Sequence, residues 1–280
     1  MRVLVTGAAG MLGRDLVPLL AAEHDVTAVD LDVDITDPSA VSACVTSVRP
    51  EAVFHLAAWT DVDGAEANEN RAMAVNGDGT GNVARAAAAA HAALVVVSTD
   101  YVFNGTKPEP YVEDDPPAPL GAYGRTKLAG ERAAIAEHPA GTRIARTAWL
   151  YGAHGRNFVD TMRRLGSVRD EVAVVADQEG SPTWTKDLAP ALVALLDLPP
   201  GTYHTAGGGS VTWAGFAEAI FAAAELGCRV VPTTTAALGR PAPRPARSTL
   251  AVTRPGAPRL RHWREALGDY LRENPDLEPG

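Results

Sequence analysis

The sequence has 280 residues, of which 46% are hydrophobic, and a formal net charge of -9. This length suits one large domain or a domain with a smaller lobe, and the negative charge argues against nonspecific nucleic-acid binding. Cys44 and Cys228 have neither metal-ligand spacing nor a disulfide framework. No apolar run is long enough to span a membrane, and no signal peptide is expected at a start that already has a strand pattern. These properties predict a cytoplasmic protein.

A glycine-rich loop lies between the first predicted strand, residues 3–6, and the first predicted helix, residues 11–22. Gly7, Gly10 and Gly13 give it the form G-x-x-G-x-x-G. Glycines permit a tight turn and a close approach to a pyrophosphate, and the helix N-terminus supplies free N–H groups and a positive dipole end. The loop therefore predicts a dinucleotide site, and a tight turn without a ligand is the alternative.

Apolar runs of strand length alternate with helical patterns through the first half of the chain. This alternation predicts an α/β fold with a Rossmann-like, doubly wound parallel sheet that is covered by helices on both faces. The predicted strands are residues 3–6, 26–30, 52–56, 94–98 and 143–147, and the predicted helices are residues 11–22, 38–48, 76–91 and 122–138.

The pattern changes after about residue 150, which predicts a smaller C-terminal α/β lobe. We assign residues 1–150 to a dinucleotide-binding domain and residues 151–280 mainly to a substrate-binding lobe, with the chain crossing back to the first domain. Thr212 is expected to cap a helix. The predicted strands here are residues 172–176 and 201–205, and the predicted helices are residues 184–196, 213–226 and 260–271.

Asp30 ends the second predicted strand, about twenty residues after the glycine loop, where an acid can accept hydrogen bonds from the adenosine ribose. Its charge repels a 2′-phosphate, and Arg14 is the nearby cation that could still reach one. We therefore predict that NADH is used at least as well as NADPH.

Tyr123 and Lys127 form a Tyr-x-x-x-Lys motif on a predicted helix, where residues i and i+4 share a face. An ammonium beside a phenol favours the phenolate and lowers the pKa of the hydroxyl, so Tyr123 becomes a workable general acid. Thr99 follows the predicted strand 94–98, and ligands bind at the carboxyl ends of strands in such sheets. By itself the motif is a weak signal, and the glycine loop in the same chain strengthens it.

Together with other motifs, these residues resemble the extended short-chain dehydrogenase/reductases, and within them the dTDP-4-dehydrorhamnose reductase family. The resemblance covers nearly the whole chain, and residues 98–105 and 180–183 carry its most specific motifs. It implies reduction of the C4 ketone of a dTDP-linked 4-keto-6-deoxy sugar with NADH or NADPH. The glycine loop and Tyr-x-x-x-Lys are shared by the whole superfamily.

The resemblance also implies roles for individual residues. Tyr123 would donate the proton, Lys127 would lower its pKa and hold the nicotinamide ribose, and Thr99 would hydrogen-bond the substrate oxygen. Tyr101 and Trp149 match positions around the sugar, although Trp149 is equally compatible with core packing. The implied cofactor-binding residues are Gly7, Gly10, Met11, Leu12, Gly13, Asp30, Asp34, Ile35, Leu56, Ala57, Ala58 and Lys127.

The segment 233–258 is rich in proline and arginine. Because an acidic chain that binds a diphosphate needs local cations, and arginine binds phosphate bidentately, we expect Arg244 to bind the substrate diphosphate. A solvated surface loop is the alternative. His55 is read as a hydrogen-bonded residue at a strand end. Asp15 and Asp187 fall near acidic positions that hold magnesium in some relatives, but no metal is predicted.

Two other functions stay open. A nucleotide-sugar dehydratase or epimerase of the same superfamily is possible, but a dehydratase typically follows its threonine with Asp-Glu, whereas Asp100 and Tyr101 follow Thr99 here. The other is a non-catalytic, NADP-binding regulatory subunit, which need not keep Thr99, Tyr123 and Lys127 together. The exact hexulose is open, and the chain is expected to be a monomer or a homodimer.

Overall fold

The computed structural model describes residues 1–275. The strands are β1 Arg2–Thr6, β2 Asp25–Val29, β3 Ala52–His55, β4 Ala93–Thr99, β5 Thr142–Thr147, β6 Leu150–Tyr151, β7 Glu171–Val175, β8 Glu179–Gly180, β9 Thr183–Trp184, β10 Gly201–His204, β11 Val211–Thr212 and β12 Arg229–Thr233. The α-helices are α1 Met11–Ala21, α2 Pro38–Val48, α3 Val62–Ala67, α4 Glu69–Met73, α5 Thr80–Ala89, α6 Ala122–Glu137, α7 Phe158–Gly166, α8 Thr185–Ala194, α9 Trp213–Ala223, α10 Thr235–Leu238 and α11 Trp263–Glu273. A π-helical segment, Ala74–Gly79, precedes α5, and the 3-10 turns are Asp100–Val102 and Leu195–Asp197.

Six strands form the central sheet in the order β10-β5-β4-β3-β1-β2. Every neighbouring pair is parallel. The predicted α/β fold with a doubly wound parallel sheet is therefore confirmed. Strand β10 follows residue 150 in sequence and yet completes this sheet, so the chain does return to the first half of the molecule. The division into domains at residue 150 stays a prediction.

The alternation of side chains along each strand explains why both faces of the sheet are covered. Val3 and Val5 pack on one face with residues of α1 and α8, such as Leu16 and Leu188. Leu4, between them, packs on the other face with residues of α2 and α5. Since both faces are apolar, the strands are hydrophobic runs instead of alternating polar and apolar sequences.

Much of the second half of the chain has its own apolar core. Helices α7, α9 and α11 pack against the parallel pair β7 and β12, around buried aromatic side chains such as Phe216, Trp263 and Tyr270. Thr212 caps α9 as predicted, because its hydroxyl accepts a hydrogen bond from the backbone N–H of Gly215 at 3.1 Å. No helix within residues 1–275 has both the length and the apolar character to cross a bilayer.

The strand order reverses direction beside β1. From β1 the chain moves first to β2 on one side and then to β3 on the other. In open α/β sheets, ligands bind in the crevice at the carboxyl ends of the strands where this reversal occurs. The loops that follow β1 and β3 begin at Gly7 and Leu56, so the fold places the glycine loop at this crevice.

Candidate active site

A cavity of about 970 Å³ opens at the carboxyl ends of the central strands. It is lined by every predicted site residue except Arg244. We call the part of its wall formed by the glycine loop and the loops after β2 and β3 the nucleotide side, and the part formed by Tyr101, Trp149, Arg156 and Trp213 the aromatic side. The predicted residues on the wall are Gly7, Gly10, Met11, Leu12, Gly13, Asp30, Asp34, Ile35, Leu56, Ala57, Ala58, Thr99, Tyr101, Tyr123, Lys127 and Trp149.

The glycine loop on the nucleotide side is packed too closely for side chains. Gly7 has φ +72°, and a Cβ there would lie 2.5 Å from the backbone nitrogen of Ala57. A Cβ on Gly13 would lie 2.5 Å from the carbonyl oxygen of Ala8. Gly10 is the N-cap of α1, and no side chain of the described residues caps this helix. The N-terminal N–H groups of α1 therefore remain open to the cavity, which is a fit for a cofactor pyrophosphate.

Asp30 and Arg14 both bind the backbone of the glycine loop at Ala9. Asp30 Oδ2 accepts a hydrogen bond from the Ala9 N–H at 2.8 Å, and Oδ1 accepts one from the Leu31 N–H at 3.0 Å. The Arg14 Nε donates to the Ala9 carbonyl at 3.2 Å. Asp30, whose charge favours a ribose without a phosphate, and Arg14, whose charge favours a 2′-phosphate, are therefore both bonded to Ala9.

The catalytic trio predicted from sequence is brought together. Thr99 is the last residue of β4, while Tyr123 and Lys127 lie in α6, and all three line the cavity. Lys127 Nζ donates a hydrogen bond to the Val97 carbonyl at 2.8 Å. The ring of Tyr123 packs edge-on against Tyr101, with centroids 5.8 Å apart.

The expected effect of Lys127 on Tyr123 is not found. Burial raises the pKa of Tyr123 to about 12; the neighbouring Thr99 hydroxyl lowers this pKa and the Asp100 charge raises it. Burial also lowers the pKa of Lys127 to about 8, against the charge of Glu131. The predicted lowering of the Tyr123 pKa is wrong because burial of the phenol dominates, and the Lys127 ammonium is held by the Val97 carbonyl. Tyr123 consequently keeps its proton at neutral pH, as a proton donor must.

The π-helical segment connects the loop after β3 to helix α6. The Asn76 side chain accepts from the Trp59 N–H at 2.8 Å and donates to Trp59 O at 3.1 Å and to Thr126 Oγ1 at 3.0 Å. A Cβ on Gly130 would lie 2.1 Å from the Asn76 carbonyl oxygen, so α6 can approach this segment only through a glycine. Single π-turns of this kind are frequent at functional sites.

The start of α6 is held by residues from α3 and α4. Glu66 accepts a hydrogen bond from the Ala122 N–H at 2.7 Å, and Arg125 forms a two-bond pair with Glu69 at 2.8 Å for each bond. An acid at a helix N-terminus is favourable because it meets the positive end of the helix dipole. These contacts fix Tyr123, which lies in the first turn of α6.

The middle of α6 is tied to the central sheet by a buried ion pair. Glu131 accepts from Arg146 on β5 at 2.9 and 2.7 Å and from Ser98 on β4 at 2.5 Å. Removal of one partner would leave a buried charge unpaired, which costs about 3–5 kcal/mol in typical proteins. The pair holds α6 beside the end of β4, and so it holds Lys127 beside Thr99.

Two tryptophans stack on the aromatic side of the cavity. Trp149 has φ +48°, which is unusual for a non-glycine residue, and its ring lies parallel to that of Trp213, with centroids 3.5 Å apart. A Cβ on Gly180 would lie 2.5 Å from the Trp149 ring, which explains the glycine of the 180–183 motif. Trp149 is therefore part of the cavity wall. Trp213 was not predicted from sequence, although its position directly after the helix cap Thr212 was a usable signal.

Arg244 lies behind the cavity wall. Its guanidinium pairs with Asp63 Oδ2 at 2.9 Å and donates to the Ala242 carbonyl at 2.9 Å. Burial raises the pKa of Tyr101 and the nearby Asp100 charge raises it further, whereas the Arg244 charge lowers it, so Arg244 does adjoin the aromatic side. A diphosphate role for Arg244 stays a prediction. Arg156, which no motif indicated, is on the wall itself.

The remaining polar residues of interest have structural partners. His55 is buried, with Nδ1 at 2.7 Å from Thr6 Oγ1 and Nε2 at 3.1 Å from Thr80 Oγ1. Burial lowers the pKa of His55 to about 3, and the Lys127 charge lowers it further. Its predicted role as a hydrogen-bonded strand-end residue is confirmed. Asp15 accepts from Thr185 at 2.5 Å, and Asp187 pairs with Arg261 at 2.8 Å.

Comparison with known proteins agrees with this site. The family model of the RmlD substrate binding domain matches residues 1–275. A dTDP-4-dehydrorhamnose reductase of Streptomyces griseus is 49% identical over 95% of this chain and 91% of its own. A probable dTDP-4,6-dihydroxy-2-methyloxan-3-one 4-ketoreductase of Streptomyces antibioticus is 47% identical over 99% of this chain and 96% of its own.

A solved structure is also closely similar. The dTDP-4-dehydrorhamnose reductase of Bacillus anthracis in complex with NADP has a TM-score of 0.95 and 41% identity, and the match covers 98% of this chain and 99% of that one. The matches extend over both halves of the molecule, so they include the cavity and all the elements that line it. The chain belongs to the dTDP-4-dehydrorhamnose reductase family.

Proposed function

We propose that this protein is an NAD(P)H-dependent ketoreductase that reduces the C4 ketone of a dTDP-linked 4-keto-6-deoxy sugar. The observation that carries the proposal is the meeting of Thr99, Tyr123 and Lys127 on the wall of a cavity whose other wall is an uncapped helix N-terminus. A hydroxyl, a protonated phenol and an ammonium are the groups that ketone reduction requires. The names of the close relatives support the sugar-nucleotide substrate.

The chemistry divides between the cofactor and the protein. A bound nicotinamide supplies a hydride to the carbonyl carbon. Tyr123, protonated at neutral pH, donates its proton to the carbonyl oxygen as negative charge develops there. Thr99 stabilises that oxygen by a hydrogen bond. The Lys127 ammonium, held at the Val97 carbonyl, places a positive charge beside the developing tyrosinate.

The nucleotide side of the cavity has the residues to hold the cofactor. The open N–H groups of α1 would bind its pyrophosphate, and Asp30 would lie beside its adenosine ribose. The relative of known structure binds NADP. We propose that NADH is also accepted, at least as well as NADPH, because the Asp30 carboxylate lines the cavity whereas the Arg14 guanidinium is partly engaged by Ala9.

The aromatic side is proposed to hold the sugar nucleotide. Tyr101 and Trp149 are on its wall and offer flat apolar surfaces that suit a deoxysugar. Arg244 adjoins Tyr101 and is proposed to bind the diphosphate. Elimination of water is disfavoured, because Tyr101 stands where a dehydratase of this superfamily would have its glutamate.

The experiment is to follow NADH and NADPH oxidation at 340 nm, with product identification by NMR, after addition of dTDP-4-keto-L-rhamnose. Stoichiometric oxidation with formation of a C4 alcohol is expected. A dehydratase or an epimerase would give no net oxidation, and a regulatory subunit would bind the cofactor without turnover. Either result would reject the proposal.

A further inference from the structure

Asp100 is a buried carboxyl that the proposed reduction does not use. Only 2% of its surface is exposed, and it lines the cavity next to Thr99. Its Oδ1 accepts a hydrogen bond from Thr99 Oγ1 at 3.0 Å. No atom of residues 1–275 hydrogen-bonds its Oδ2. Buried polar groups normally have partners, so a carboxylate in this position requires an explanation.

The hydroxyl of Thr99 has one proton and two acceptor positions. It accepts a hydrogen bond from the Tyr101 N–H at 3.1 Å and donates its proton to Asp100 Oδ1. While Asp100 is charged, Thr99 consequently has no proton to offer to Tyr123 or to a substrate oxygen. When Asp100 is protonated, its carboxylic acid can donate to Thr99, and the Thr99 proton can turn towards Tyr123.

The groups that face Asp100 allow it to be protonated. Tyr101 comes from the same 3-10 turn, Tyr123 from α6, and Ser248 from the loop before α11. Lys127 lies on the same cavity wall and Arg244 adjoins Tyr101; within residues 1–275 neither forms an ion pair with Asp100. Burial raises the pKa of Asp100 to about 7, and the nearby hydroxyls of Ser248 and Thr99 oppose that rise.

We propose that Asp100 is a positioning residue that returns a proton to Tyr123 through the hydroxyl of Thr99 after each reduction. The inference rests on the proposed ketoreduction. When Tyr123 has given its proton to the alkoxide, the O–H bond of Thr99 breaks and its proton passes to the tyrosinate. The carboxylic acid of Asp100 replaces that proton on Thr99 and becomes a carboxylate. Asp100 then takes up a proton from bulk solvent when the product leaves, so each reduction consumes one solvent proton.

The test is the pH dependence of kcat for the wild type and for Asp100→Asn, at saturating ketosugar and NAD(P)H. The amide keeps an acceptor for Thr99 but cannot pass on a proton. We expect the wild-type kcat to fall as the pH rises through the pKa of Asp100. In Asp100→Asn this descending limb should be absent, and kcat should be lowered about tenfold or more. Any fall in kcat that remains at higher pH then reports the deprotonation of Lys127.

Two controls separate this role from a structural one. NAD(P)H affinity and Tm should be close to wild type in Asp100→Asn, since a general loss of structure would change both. Asp100→Glu keeps a titrating carboxyl and should show the descending limb at a shifted pH, which also serves if the asparagine variant does not fold. If the descending limb of kcat were unchanged in Asp100→Asn, or stayed at the wild-type pH in Asp100→Glu, the inference would be overturned. The proposed ketoreduction would then still stand. Absence of turnover in the wild type would reject both.

Discussion

The two sides of the cavity differ in the atoms that form them. The nucleotide side is mainly backbone: three glycines, the N–H groups at the start of α1, and the ends of β1, β2 and β3. The aromatic side is mainly side chains, and they come from distant segments. Trp149 follows β5, Trp213 begins α9, and Tyr101 follows β4. Because Trp213 belongs to the second apolar core, this side depends on contact between the two halves of the chain.

This difference indicates how each side responds to change. A site made from backbone has little tolerance for an added atom, since a Cβ at Gly7 or Gly13 would collide with main-chain atoms. A site made from side chains can be altered one residue at a time, with the backbone unchanged. We therefore expect glycine substitutions on the nucleotide side to weaken cofactor binding and lower stability. Side-chain substitutions on the aromatic side should instead change the KM for the sugar nucleotide.

The largest effect is expected between the two sides, at Thr99, Tyr123 and Lys127, the proposed catalytic trio. Tyr123→Phe removes the proposed proton donor and should lower kcat by about 10²–10⁴, while NAD(P)H binding persists. Steady-state kinetics and a cofactor titration measure the two quantities. Tyr203→Phe is the control: it also deletes a buried tyrosine hydroxyl, which donates to the Pro199 carbonyl at 2.6 Å, and Tyr203 does not line the cavity. Wild-type turnover in Tyr123→Phe would exclude Tyr123 as the donor.

The next effect concerns the backbone of the nucleotide side. Gly7→Ala puts a Cβ at φ +72° and 2.5 Å from Ala57 N, and the left-handed conformation alone costs about 1–2 kcal/mol. The Kd for NAD(P)H should rise about tenfold or more, and Tm should fall by roughly 2–8 °C. Gly227→Ala is the matched control, because a Cβ there meets nothing within 4 Å. If Gly7→Ala and Gly227→Ala had the same Kd for NAD(P)H and the same Tm, the glycine loop would not be the cofactor site.

A smaller effect is expected for the diphosphate on the aromatic side. Arg244→Ala should raise KM for the nucleotide sugar about tenfold, equivalent to 1.4 kcal/mol, and should leave NAD(P)H affinity unchanged. Arg240→Ala is the control: Arg240 pairs with the same Asp63 oxygen at 3.3 Å, but 55% of its side chain is exposed against 11% for Arg244. If both variants keep the wild-type KM, the diphosphate is bound elsewhere, and Arg156→Ala becomes the variant to measure.

The smallest effect is the choice between cofactors. We expect kcat/KM with NADH to equal or exceed that with NADPH at a fixed ketosugar concentration, because Asp30 repels a 2′-phosphate. Arg14→Ala should lower kcat/KM for NADPH and leave that for NADH unchanged. A wild-type preference for NADPH above about tenfold, or 1.4 kcal/mol, would contradict the prediction. It would show that Arg14 outweighs Asp30 in the choice of cofactor.

The glycine loop, Asp30 and the strands of the nucleotide side could be predicted from sequence because each is specified locally. A strand, a glycine loop and a helix follow one another between residues 2 and 21, and the six strands of the central sheet lie within one residue of their predicted bounds. Tyr123 and Lys127 were found for the same reason, since one helix fixes their relative position. Periodicity and turn chemistry are sufficient for features of this kind.

The features that sequence missed depend on residues far apart in the chain. Asp63 and Arg244 are 181 positions apart, so no local pattern shows that the arginine is already paired. The π-helical segment was predicted as the beginning of α5, because six residues are too few for the altered hydrogen-bond register to be recognised in the sequence pattern. The pKa of Tyr123 was assigned in the wrong direction because burial, which dominates it, is a property of the folded chain.

The stacked pair of Trp149 and Trp213 also has an optical consequence. The protein has five tryptophans, and these two lie parallel with 3.5 Å between ring centres. At such a separation the excited states of two indoles couple, so the pair should give a paired positive and negative band in ultraviolet circular dichroism. A sugar nucleotide that displaces either ring would weaken this signal. The aromatic side thus contains its own spectroscopic probe, and substrate binding could be titrated without a label and without turnover.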